Sequence, residues 1–164
     1  MSKVITASFK TRPAAEHALR KLEDLGVTEE QISVIVSDST KGANFDIETE
    51  NKSDEGIVAG GVAGGLVGAV LAAILSAGAV AVPAAGIIIS GWLVSAAAGM
   101  GAGMAAGGLI GGLIGAGIPE YEAKLHEESV KAGAILLAVR PNDADQAEAI
   151  KDTLQSVDAY NVAA

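Results

Sequence analysis

The sequence predicts an α+β fold: a ferredoxin-like βαββαβ domain with a long Gly-zipper α-helical hairpin of membrane type inserted between its second and third strands. Three observations carry that expectation. Residues 56–119 are 64 consecutive positions without Asp, Glu, Lys, Arg or His. The polar segments 1–55 and 120–164 each contain a strand–helix–strand pattern. Those two patterns also echo one another, because Ala15, Glu16, Ala18, Leu22 and Leu25 align at a constant offset of 132 with Ala147, Glu148, Ile150, Leu154 and Val157.

The first half opens on Lys3 to Phe9, an apolar strand-like run with no signal-peptide pattern before it. Thr11-Arg12-Pro13 then starts a helix, since proline fits the first turn. Ala15, Ala18, Leu22 and Leu25 keep the helical period, and Gly26 suits the stop. Ile32 to Ser37 is the second strand, followed by a polar stretch from Asp38 to Asp54. In the second half, Pro119 opens an acidic helix over about 120–131, and Ala134 to Arg140 is a strand. Pro141-Asn142-Asp143 is a turn and cap, 144–156 a helix, and Tyr160 to Ala163 a short closing strand. Strands two and three must return to one sheet, so the insert crosses any bilayer an even number of times.

Of the 21 glycines, 18 lie within 56–119. Gly56, Gly60, Gly64 and Gly68 form one four-residue series, and Gly99, Gly103, Gly107, Gly111 and Gly115 form another. Gly61 with Gly65, and Gly108 with Gly112, widen each smooth side. Such spacing lines one side of a helix and lets a second backbone approach closely. Glycine costs about 1 kcal/mol relative to alanine inside a helix in water, so packing or a bilayer must enforce these helices. The nine glycines of the two series are therefore the predicted helix-packing and oligomerisation residues. The first arm, 56–75, is just long enough to span hydrocarbon at about 1.5 Å per residue. Ser76 to Gly86, with Pro83, is the natural tip, and the longer second arm, 87–118, bends near Ala96 to Gly101. An uncharged tip leaves three arrangements open: spanning, dipping into the bilayer, or burial in an assembly. Acidic residues flank both ends (Asp46, Glu48, Glu50, Asp54, Glu55; Glu120, Glu122, Glu127, Glu128), so the charge rule assigns no orientation.

Chemistry is sparse. A net charge of −9 argues against nucleic acid as a partner. The absence of cysteine excludes disulfides, thiolate metal sites and cysteine nucleophiles. Gly101 to Ala106 matches G-x-G-x-x-A, but no strand is expected before it, so no dinucleotide cofactor is assigned. His126 follows Glu122 by four residues, yet no third ligand is visible, and the pair reads as solvated surface rather than a metal site. His17, beside Glu16, reads the same way. Glu120, Glu122, Glu127 and Glu128 read as a solvating collar for the base of the hairpin. No serine sits in a nucleophile elbow, so no catalytic residue is assigned and the chain is expected not to be an enzyme. Ile32, Val34 and Val36 on one side, and Ile135, Leu137 and Val139, give enough apolar alternation to support two covered sheet faces. Thr6, Ser8, Ser33 and Ser37 make the second face mixed rather than dry, and because helices are expected on one face only, the other is expected to be covered by a second copy.

The run SFKTRPAAEHALRKLEDLGV, the segment GLIGGLIGAGIPEYEAKLHEESVKAGAILLAVR and the final helix resemble a bacterial group. It comprises general stress protein 17M-like, heat-induced YflT-like, low-complexity membrane proteins. The most specific piece is Gly115 to Arg140. The resemblance implies a small bacterial, stress-associated protein without established catalytic residues. The expectation is a non-enzymatic, membrane-associated, self-assembling scaffold or membrane organiser. It would be a homo-oligomer at the inner membrane, with lipid as a partner, no cofactor, and its polar domain in the cytoplasm. The alternative is a large soluble or lipid-containing particle or filament built by packing of the hairpins. A pore is the weaker reading, because no ionisable or amide side chain occurs in the interval.

Overall fold

A computed structural model describes residues 3–40, 70, 79–82, 86–99 and 102–163. The described elements, in chain order, are β1 (Ile5–Phe9), α1 (Arg12–Asp24), a 3-10 turn (Glu29–Gln31), β2 (Ile32–Ser37), β3 (Val80–Val82) and β4 (Ile87–Gly91). There follow α2 (Trp92–Gly99), α3 (Ala102–Gly115), α4 (Glu120–Lys131), β5 (Ile135–Val139), α5 (Ala144–Ser156) and β6 (Tyr160–Ala163). The fold is α+β. Among the described residues, six strands form one antiparallel sheet in the order β3-β4-β2-β5-β1-β6. The units β1–α1–β2 and β5–α5–β6 interleave, so that β5 lies between β1 and β2 and β1 lies between β5 and β6.

The internal echo is structural as well as sequential. Both α1 and α5 are 13 residues long. Their N-caps are Thr11 and Asp143, and their C-caps Leu25 and Val157, each pair again 132 apart. Both caps satisfy a free backbone donor of the first turn: Ala14 N donates to Thr11 Oγ1 at 3.4 Å, and Gln146 N to Asp143 Oδ1 at 2.7 Å.

Strand alternation then builds two cores. Ile5, Ala7, Phe9, Ile32, Val34, Val36, Ile135, Leu137 and Val139 face one way, onto Ala18 and Leu22 of α1 and Ile150 and Leu154 of α5. Ile35, Ile87, Ile89, Leu136 and Ala138 belong to the opposite core, with Leu93 of α2, Leu109 and Leu113 of α3, Ile118, and Ala123 and Val130 of α4. The second sheet face is therefore covered by the chain's own helices. α2, α3 and α4 occupy the place where a second copy was expected.

The insert departs from an all-helical hairpin. Where a tip and the start of the second arm were predicted, β3 and β4 form a β-hairpin in register Val80↔Ile89, Ala81↔Ile88 and Val82↔Ile87. β4 also adds five residue pairs to β2, from Ser33↔Gly91 to Ser37↔Ile87. The cause lies in Ile87-Ile88-Ile89. These are three β-branched side chains in a row, buried on both faces of the sheet, as a central strand favours. The second arm is helical only from Trp92. The described helices are α2 to Gly99 and α3 from Ala102; residues 100–101, part of the region where a bend was expected, lie outside the described residues. Within α3, Gly108 (φ 58, ψ −143) interrupts the helix. No helix among the described residues is long and apolar enough to cross a membrane. The first arm, 56–75, lies outside the described residues except for Val70, which is buried against the α1/α5 core.

Candidate functional site

Two constellations tie the uncharged interval to the polar domain. The first is the junction at the end of β4. Gly91 pairs with Ser33 and has φ +90; a Cβ there would stand 2.3 Å from the Ile32 carbonyl oxygen and 2.9 Å from Ser33 Cα. Only glycine allows this approach with this backbone. It lets the chain turn directly from strand into α2, whose Leu93 N–H donates to Ser33 Oγ at 2.8 Å. A serine on the neighbouring strand thus supplies the acceptor that this helix start needs. At the other end of the pairing, Asp38 N donates to Gly86 O at 2.9 Å.

Trp92 fixes the same junction to the second half of the domain. The Arg140 guanidinium lies 5.1 Å from the centroid of its ring, a cation–π distance. Arg140 is in turn held by Gln31, which is only 6% exposed. Gln31 Nε2 donates to Arg140 O at 2.9 Å and to Gln146 Oε1 at 3.0 Å, while Arg140 N donates to Gln31 O at 2.8 Å. Gln31 Oε1 accepts from Thr28 N at 3.1 Å. The T-x-x-Q spacing of Thr28 and Gln31 is a capping-box signal in the sequence, but it announces only the local bond. The long-range bonds to Arg140 and Gln146 have no signature.

The second constellation is the seat of α4. Sequence reasoning placed His126 with Glu122 on a solvated face; the structure corrects this. Ala123, His126, Ser129 and Val130 form the buried stripe of α4, and His126 is 1% exposed. Its Nε2 lies 2.7 Å from Thr6 Oγ1 and its Nδ1 3.1 Å from Ser8 Oγ, both fully buried on β1. Helical phase explains the inversion. Ala123 and Val130 are the positions that fit the sheet, and His126 at i+3 shares their side. Burial lowers the His126 pKa to about 4, so the imidazole is neutral at neutral pH. A neutral ring donates from one nitrogen and accepts at the other, which two rotating hydroxyls can match. Because Thr6, Ser8 and His126 are all sealed from solvent, this serine–histidine contact is out of a substrate's reach.

β6 completes the seat. Thr6 opposes Ala163 while Ser8 opposes Tyr160, so β6 holds one more residue than β1 over this stretch. Asn161 takes up the bulge with φ +52, and its Nδ2 donates to Ser129 Oγ at 3.1 Å. The outer side of α4 carries Glu120 paired with Lys124 at 2.6 Å, and Glu127 paired with Lys131. The hydrogen bond from Lys124, and then its charge, hold the Glu120 carboxyl below the usual carboxylate range. Glu122 is half-buried, with Oε2 lacking a hydrogen-bond partner. Among the described residues no three His, Cys, Asp or Glu side chains are grouped as a metal site would need. His17 is exposed, as expected.

The predicted packing glycines fall as follows. Gly56, Gly60, Gly64 and Gly68 lie outside the described residues. Gly99 closes α2, Gly103 and Gly107 occupy the first half of α3, and Gly111 and Gly115 come after the break at Gly108. The second series is thus divided among three helical pieces. Gly111 is half-buried and Gly115 exposed, while the flanking Gly112 is buried.

No family model, no curated protein and no solved structure matches this chain.

Proposed function

We propose that this chain is a non-enzymatic, membrane-associated scaffold that self-assembles, with the Gly/Ala-rich interval as its association element. The observation that carries this reading is the 64-residue interval without an ionisable side chain, set inside a folded polar domain. Such a segment gains nothing from water and has no acid, base or metal ligand to offer a substrate. The interleaved βαβ units support a ferredoxin-like domain that holds both ends of the interval on one side of any bilayer. The short helices α2 and α3, folded back over the sheet, favour an insert that dips into a bilayer over one that crosses it as two long helices. In this reading the polar domain lies on the cytoplasmic side of a bacterial inner membrane, and the resemblance to stress proteins supplies the setting. Gly56, Gly60, Gly64 and Gly68 remain the packing positions between copies.

Flotation with phospholipid vesicles on a detergent-free density gradient tests the reading. The expected result is protein that rises with the vesicles and resists an alkaline carbonate wash. Protein that sinks as large uniform particles transfers the glycine series to a protein-only assembly. Protein that stays as a small soluble species in every fraction refutes both.

A further inference from the structure

The contact between α4 and the sheet is polar where apolar packing would be usual. His126, on the buried stripe of α4, rests on Thr6 and Ser8 of β1, and Asn161 of β6 reaches Ser129 one turn further on. α4 follows the second half of α3 after the turn over 116–119, and both helices contribute to the core on one face of the sheet. We infer that α3 and α4 form a proton-released cover: charging the His126 imidazole unseats α4 from β1 and bares the apolar second face of the sheet.

The surroundings of the ring support this. Among the described residues, the elements packed most closely on α4 are α3, β1, β2, β5 and β6. Of these, β1, β2, β5 and α3 contain no ionisable residue, and β6 contains only Tyr160. Lys3 and Lys10 flank β1, and Lys10 lies over the Tyr160 ring. On α4 itself, Glu122 stands one turn before His126, and the other titratable residues are Glu120, Tyr121, Lys124, Glu127, Glu128 and Lys131. A charged ring would therefore meet hydroxyl groups on the sheet and no counter-charge there. Desolvation alone accounts for its low pKa. An opened α4 returns the imidazole to water, where its ordinary pKa applies, so acid favours the open form. Opening uncovers Leu136, Ala138 and Ile35, which lie beneath the cover. This device goes beyond the scaffold reading and holds whether or not the chain meets a bilayer.

Hydrogen exchange of the full chain at pH 7 and pH 5, corrected for the intrinsic chemistry of exchange, tests it. In the unmodified protein the α4 amides lose protection on the order of 20-fold between these pH values and stay less protected than those of α1. His126→Gln keeps a neutral donor and acceptor between Thr6 and Ser8, so most of that loss disappears. An equal loss in His126→Gln overturns the inference. So does exchange of α1 and α4 at one common rate, which would mean unfolding of the whole domain. If the variant does not fold, an NMR titration of the His126 ring in the unmodified protein decides the matter. A midpoint below 5 that coincides with loss of α4 protection supports the cover. A midpoint near 6.5 with α4 still protected excludes it.

Discussion

Gly91→Ala is the substitution whose cost the structure determines most fully. The new methyl group would lie 2.3 Å from Ile32 O and 2.9 Å from Ser33 Cα, and both are backbone atoms that cannot rotate aside. A comfortable carbon–oxygen contact needs about 1 Å more, so β4 must part from β2 at this pair. The left-handed φ of +90 adds about 1 kcal/mol of its own for a residue with a Cβ. Displacement also weakens the Leu93–Ser33 bond, worth about 1 kcal/mol. Together with the strain left in the ladder, the expected loss is about 3 kcal/mol. Gly26→Ala is the matched control, because Gly26 has φ +77 but open space around it. It should cost only about 1 kcal/mol, from backbone strain alone. Urea unfolding followed by circular dichroism, read as midpoints at constant m, measures both. Equal losses for the two variants would refute the close β2–β4 junction.

Other consequences can be checked by the same unfolding assay. His126 has a native pKa near 4 against about 6.5 when unfolded, so the unfolded chain binds more protons as pH falls between those values. Its contribution to stability is complete above pH 6.5 and falls by about 3 kcal/mol by pH 4; an unchanged pH profile in His126→Gln would contradict this. Leu113→Ala empties a fully buried site under α3 and should cost 2–5 kcal/mol, whereas an interval detached from the domain would make it neutral. Gln31→Ala removes the bonds to Arg140 O, Gln146 and Thr28 and should cost about 2 kcal/mol; a loss below about 0.5 kcal/mol would remove Gln31 from the account.

The polar domain was legible because its signals are local. Thr11 with Pro13, Asp143, Gly26 and the alternation in Ile32 to Ser37 each dictate their own neighbourhood, and the 132-residue echo reports two copies of one plan. The insert was legible as an apolar unit but not in its form. Glycine spacing implies helical faces, yet the spacing continues across Gly108, where the backbone leaves the helix. Ile87 to Ile89 carried the local strand preference, and reading them as part of a long arm let the interval's overall hydropathy outweigh β-branching. The burial of His126 is not legible in the sequence, because exposure depends on which side of α4 meets the sheet, and Glu122 gives that side a polar look. Ser33, whose hydroxyl accepts from a helix 60 residues away, has no sequence signature at all.

The central claim is that the uncharged interval is the association element. The most direct test places charge inside it, as Leu66→Glu with Leu71→Glu in the full chain, and compares detergent-free vesicle flotation with the unmodified protein. The account predicts that the unmodified chain floats and that the doubly charged chain remains with the soluble proteins while its far-ultraviolet spectrum stays α+β. Two charged residues would each cost about 2.5–3.5 kcal/mol in a hydrocarbon setting, enough to abolish the partition. Equal flotation of both proteins, or of neither, would contradict the claim.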